Sequence, residues 1–225
     1  MGTAIGDTLP LAVGVAISPL AIIAMILLLV TPRGGVTGPA FLVGWVLGLA
    51  AVGTVVLLIV EPAGASSSQG PATWVGILQL VVGLALFGVA VQQWRARPGS
   101  DGEPSTPKWM DAVDAFTAGR ALALGAVFSG VKPKNLLLTV GAASLIAETG
   151  IGAGQSAIAL GIYVAVASVG IAVPAIIYVV LGTDARAVLE DMKSWMIRHN
   201  AAIMTVLCVI FGTLLTGDAI GGLGS

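Results

Sequence analysis

The sequence predicts an all-α membrane protein, with six transmembrane helices arranged as a 3+3 inverted repeat in which the first and fourth helices are broken. Three observations lead there. The chain of 225 residues is 57% hydrophobic and 9% charged, with a mean hydropathy of +1.02, whereas soluble domains carry about 25% charged residues. It contains six apolar runs, at 9–30, 39–60, 74–94, 120–147, 157–181 and 201–220, and a run of about 20 residues crosses a hydrocarbon core of roughly 30 Å as a helix. Finally, the two halves resemble each other in order along the chain.

The runs are separated by recognisable breaks. These are Thr-Pro-Arg-Gly-Gly at 31–35, a Ser/Gly/Pro-rich stretch at 61–72, a charged stretch at 95–117, a short Gly-rich link at 148–154 and a second charged stretch at 183–200. Residues 1–8 hold no Lys or Arg, and the first apolar run is too long for a signal-peptide core, so the first helix is expected to stay in the protein.

Charge predicts the orientation. Six spans put Arg33, Arg95, Arg97, Lys108, Arg120, Arg186, Lys193 and Arg198 on one side, and only Asp7, Glu61, Glu148 and Asp218 on the other. Basic loops stay in the cytoplasm, so both termini are expected to be extracytoplasmic. Two stretches on the basic side have helical apolar spacing: Trp109, Met110, Val113 and Phe116, and Val188, Leu189, Met192, Trp195 and Met196. Both fit helices lying in the membrane interface.

The repeat is carried by short matches. Ala12-Val13…Ile17-Ser18-Pro19 aligns with Ala126-Val127…Val131-Lys132-Pro133 at an offset of 114. Gly44…Ala51-Val52-Gly53 aligns with Gly161…Ser168-Val169-Gly170 at 117, and Gly83 with Gly212 at 129. Three spans per half is an odd number, so the second half enters the membrane from the opposite side. Transporters with such inverted repeats hold their site near the midplane. The expected organisation is a first three-helix repeat at 1–94, a cytoplasmic linker with a short amphipathic helix at 95–117, and a second repeat at 118–225 with an amphipathic connector at 184–198. Gly44, Gly53, Gly161 and Gly170 are expected to let the helices pack closely and rock.

The candidate site follows from the two prolines. Pro19 and Pro133 stand mid-span in the first and fourth runs. A proline removes a backbone donor and clashes with the preceding turn, so each is expected to break its helix and expose a fresh N-terminus at the midplane. Helix N-termini attract anions. Lys132 and Lys134 add positive charge at the same place, with no acid at the same depth, and Asn135 and Ser18 add polar groups. These four residues are the predicted substrate-binding set. Gln79, Ser129, Thr139 and Ser144 are further polar groups that could line a path. Asp218 and Glu148, near the outer face, are the candidates for proton coupling.

Other classes find little support. A net charge of −1 points away from nucleic acid. Cys208 is the sole cysteine and lies in an apolar run, where it reads as packing. His199 is the sole histidine and reads as interfacial. Without a metal-binding cluster or a nucleophile–base pair, neither an enzyme nor a cofactor is expected.

The six-span 3+3 layout, Ile17-Ser18-Pro19 and Val131-Lys132-Pro133-Lys134-Asn135-Leu136-Leu137 resemble the LysE-type exporter superfamily. Within it, the chain is most similar to the GAP family of actinobacteria, the sulfolipid-addressing proteins. Superfamily exporters commonly carry Asn where this chain has Lys132, a departure that speaks against amino-acid export. The resemblance implies a multi-pass protein of the bacterial inner (plasma) membrane, a homodimer, that helps move cell-envelope glycolipids and has envelope-lipid biosynthesis or export proteins as further partners. The expected function is therefore transport, by export or flipping, of an anionic cell-envelope glycolipid or lipid-linked precursor. The rival readings are an exporter of a small soluble anion or amino acid, and a non-transporting scaffold for envelope-lipid assembly.

Overall fold

The computed structural model describes residues 1–64, 73–95 and 115–223. Within them the chain forms eight α-helices: α1 (Gly2–Ala16), α2 (Pro19–Leu29), α3 (Gly34–Gly64), α4 (Thr73–Arg95), α5 (Ala118–Gly130), α6 (Pro133–Glu148), α7 (Ala153–Leu181) and α8 (Ala185–Leu223). An all-helical answer is what a bilayer demands, because a helix satisfies its backbone polar groups within one segment. The six predicted spans become eight helices because the first and fourth runs are each split, at Pro19 and Pro133. Pro19 and Pro133 both sit at the first turn of a new helix, where a missing N–H costs nothing.

Four helices are each long and apolar enough to cross a membrane: Gly34–Ile59, Gly76–Arg95, Ala153–Leu181 and Ala185–Gly221. The pair α1 and α2, bent by 54° at its break, makes a fifth candidate when taken together. Singly, α5 and α6 are too short to cross, at 13 and 16 residues.

The amphipathic stretch 184–198 does not form a separate connector. After one 3₁₀ turn, Gly182–Asp184, it opens α8, which runs on for 39 residues, about 58 Å at 1.5 Å per residue. Its apolar stripe turns inward, with Ala185 and Leu189 fully buried, while Val188 and Trp195 stay exposed. His199 stacks on Trp195, ring centroids 4.6 Å apart. Most of the expected helix at 109–116 lies outside the described residues.

Two seams organise the bundle: α4 against α8 and α3 against α5. Both rest on glycine. A Cβ on Gly83 of α4 would lie 3.1 Å from the Gly212 carbonyl oxygen of α8, and a Cβ on Gly212 would lie 3.1 Å from the Gly83 carbonyl oxygen. A Cβ on Gly44 of α3 would collide with the Leu122 carbonyl of α5. Lipid tails are as apolar as leucine, so helices in a bilayer gain from such close backbone approach rather than from hydrophobic burial.

Replacing Gly212 with Leu should therefore force α4 and α8 apart. Overpacking of this kind costs about 1–3 kcal/mol. A lower melting temperature in detergent is expected, whereas Gly217→Leu, at a glycine with open space around it, should melt like the parent.

Candidate functional site

The site is built where the two broken runs meet. At the first break the chain leaves α1 through an inverse γ-turn. Ile17 has φ −82° and ψ 77°, and the Ser18 N–H donates to the Ala16 carbonyl at 3.0 Å. Ser18 N–H would otherwise bond Gly14, and Pro19 has no N–H at all, so the last turn of α1 is left with free carbonyls. At the second break Lys132 is extended, with φ −62° and ψ 127°, which frees the Phe128 carbonyl. Gly14 and Phe128 each stand five residues before the proline of their run.

Both of these carbonyls are satisfied by side chains from the first turn of α6. Lys134 Nζ donates to Gly14 O at 2.6 Å and to Ile17 O at 2.9 Å. Asn135 Nδ2 donates to Phe128 O at 2.8 Å and to Ser18 Oγ at 3.2 Å, and the Ser18 hydroxyl donates to Asn135 Oδ1 at 3.3 Å. Lys134, Asn135 and Ser18 are 2%, 1% and 4% exposed. The network continues outward through Thr139, whose hydroxyl donates to Asn135 O at 2.8 Å and lies 3.1 Å from the Tyr163 hydroxyl of α7.

The structure thus gives the two lysines different surroundings. Lys134 has its ammonium on the C-terminal carbonyls of α1, the negative pole of that helix. Lys132 is half-buried, its Nζ 4.0 Å from the centroid of the Phe128 ring. Among the described residues, the ion pair present joins Lys193 to Glu190, far from either. A cation over a ring face is stabilised without being neutralised, and Lys132 stands at the wall of a cavity of about 310 Å³. That cavity is lined by Ser18 at the first break, Leu20 of α2, Lys132 to Asn135, Val89, Gln92 and Gln93 of α4, and Met204 of α8. Neither α2 nor α6 has a side-chain cap at its N-terminus, and residues of both first turns, Leu20 on α2 and Lys134 and Asn135 on α6, border the cavity.

Six predicted residues come together here: Ser18, Pro19, Lys132, Pro133, Lys134 and Asn135. Asp218 and Glu148 do not join them. Glu148 ends α6, about 20 Å along the helix from Asn135 at 1.5 Å per residue, and accepts a 2.7 Å hydrogen bond from Gln79 Nε2. The carboxylates of Asp7 and Asp218 act on it electrostatically, so these acids share one end of the bundle. Ser129 and Ser144 bond carbonyls of their own helices. Sequence reasoning missed Tyr163, Phe128 and the Gln92–Gln93 pair. Tyr163 carried a signal, since tyrosine in membrane helices usually sits at the interface, and this one is mid-run.

The family model described as "Sap, sulfolipid-1-addressing protein" matches residues 8–221. The chain belongs to this family. The match takes in both breaks and every residue around the cavity. No curated protein and no solved structure matches the chain.

The two lysines should separate in stability measurements. Lys134→Met strands the buried Gly14 carbonyl and the part-buried Ile17 carbonyl, a buried one costing about 1–3 kcal/mol when left unpaired, and should lower the melting temperature of the purified protein clearly. Lys132→Met removes no hydrogen bond and should shift it little. Equal effects would contradict the division of roles described above.

Proposed function

We propose that this protein is a membrane transporter that exports or flips an anionic cell-envelope glycolipid, and that Lys132 binds the head group. The observation that carries the reading is the Lys132 ammonium, half-buried and, among the described residues, without a carboxylate partner, on the wall of a cavity edged by two helix N-termini that lack side-chain caps. Cation and helix poles all favour negative charge. The description of the family names a sulfolipid, and a sulfated or sulfonated head group supplies such charge.

In this reading α5 and α6 together make the sixth crossing, and the halves are an inverted repeat. The reciprocal Gly83–Gly212 contact supports it, because a twofold axis relating the halves must pass where equivalent residues meet. The positions of Gly14 and Phe128 relative to Pro19 and Pro133 support it too. The cations Arg33, Arg95, Arg120, Arg186, Lys193 and Arg198 fall at the helix ends opposite to Asp7, Glu148 and Asp218, which supports extracytoplasmic termini. Gln92 and Gln93 lie beside Arg95 near the end of α4, so the cavity is reached from the cytoplasmic side. An apolar groove of about 670 Å³ between α3 and α7, lined by residues such as Ala50, Leu57, Leu58 and Ala157, supports a cargo with acyl chains over a small soluble anion.

Binding of a sulfated glycolipid, followed by native mass spectrometry, tests the proposal. Losing a charge-assisted contact costs about 1.5–3 kcal/mol, so Lys132→Met should weaken binding roughly 10- to 100-fold, with Lys132→Arg retaining most of it. Unchanged affinity in Lys132→Met would end this reading.

A further inference from the structure

The two short helices that precede the breaks are counterparts in the repeat, yet they are packed differently. α5 lies along α3 and barely touches α2. α1 instead lies along α6 as well as α7, with Ala4, Leu11, Ala12 and Val15 fully buried. One contact inside this packing is polar: Lys134 Nζ on the Gly14 and Ile17 carbonyls. On α6, Gly141 faces α1 without a side chain: a Cβ there would lie 3.1 Å from Leu215 Cδ1 of α8 and 3.8 Å from Leu11 Cδ1 of α1. Lys134 also lines the cavity that Lys132 faces. Lys134 therefore borders both the end of α1, which its ammonium holds, and the cavity beside Lys132.

We infer that Lys134 is a cargo-sensitive latch on α1. Resting on the proposed anion site and inverted repeat, this adds a role for α1 as a moving gate. With the cavity empty, the ammonium holds the C-terminal turn of α1 against the first turn of α6. An anionic head group beside Lys132 offers the same ammonium a full negative charge in place of two carbonyl dipoles. When Lys134 turns to the head group, Gly14 and Ile17 lose their donor, and α1 is released at the hinge already present, the γ-turn at Ile17 next to Pro19. In the opened state α1 stands off α6 as α5 stands off α2. The driving force is differential: the ligand shifts the equilibrium because it contacts Lys134 in the open state alone.

Disulfide trapping reads this directly. Leu11→Cys and Gly141→Cys, placed in a Cys208→Ala background because Cys208 is a buried free thiol, should cross-link readily in the empty full-length protein in vesicles. Adding a sulfated glycolipid should slow cross-linking several-fold. Lys134→Met should slow it without any lipid, and Lys132→Met should leave the basal rate intact while abolishing the lipid effect. Reformed disulfide should block lipid movement, and reduction should restore it. The latch is overturned if Lys134→Met cross-links at the parental rate, or if the lipid binds with undiminished affinity but leaves the rate unchanged. Failure of the lipid to bind at all overturns the anion site instead, and the lipid-free Lys134→Met result then still decides whether Lys134 holds α1.

Discussion

The arrangement depends on one constraint: a helix broken inside an apolar bundle frees carbonyls that need another partner. Leaving such a group unpaired in hydrocarbon costs several kcal/mol, so a break survives only where side chains satisfy it. Pro10 in α1 and Pro174 in α7 make the comparison. Both are prolines inside apolar runs, yet their helices continue. What distinguishes Pro19 and Pro133 is the first turn of α6, which carries a lysine for one set of freed carbonyls and an asparagine for the other. The break is thus a joint property of both stretches, since the carbonyls at the end of α1 are met by Lys134 at the start of α6.

This dependence also shapes the packing. The long seams, α4 with α8 and α3 with α5, are bare backbone approaches at Gly83, Gly212 and Gly44. They bring rigid helices together without polar specificity. The polar contacts concentrate at the breaks and run along α6, from Ser18 and Asn135 through Thr139 to Tyr163. A bilayer gives little drive for apolar packing between helices, so such hydrogen bonds decide which short helix stays where. α1 is tied into this chain by Lys134, and α5 through the Phe128 carbonyl, which accepts from Asn135.

The helical class and the places of both breaks were legible in the sequence, because apolar length and proline position are local signals. The number of helices was not, since a proline alone does not say whether a run kinks or separates. Nor was the fate of 184–198. Its spacing of apolar residues fits a helix on a membrane surface as well as one packed against the bundle, and only the burial of Ala185 and Leu189 tells the two apart. Among the site residues, the clustering of Ser18, Lys132, Lys134 and Asn135 followed from the repeat alignment. The different surroundings of the two lysines did not. Side chains two apart on a helix's first turn point in different directions, and the acceptors that take Lys134 lie about 120 residues away in sequence.

That difference explains how one site can hold two lysines. Two free ammonium groups in one small cavity would repel each other, and each would bear the cost of insertion, about 2.5–3.5 kcal/mol. Here Lys134 is neutralised in effect by the negative pole of α1, while Lys132 rests over Phe128, a partner that lowers its energy and leaves its charge intact. The repeat alignment makes the purpose of this asymmetry clearer. The first half has Ser18 and Leu20 where the second has Lys132 and Lys134, so the added charges belong to one half alone. A site lying on a pseudo-twofold axis and built from two equal helix N-termini would treat its two openings alike. On the function proposed above, charge supplied from one half would break that equivalence: an anion would meet Lys132 on the side lined by Gln92 and Gln93, and the acids Asp7, Glu148 and Asp218 at the opposite end.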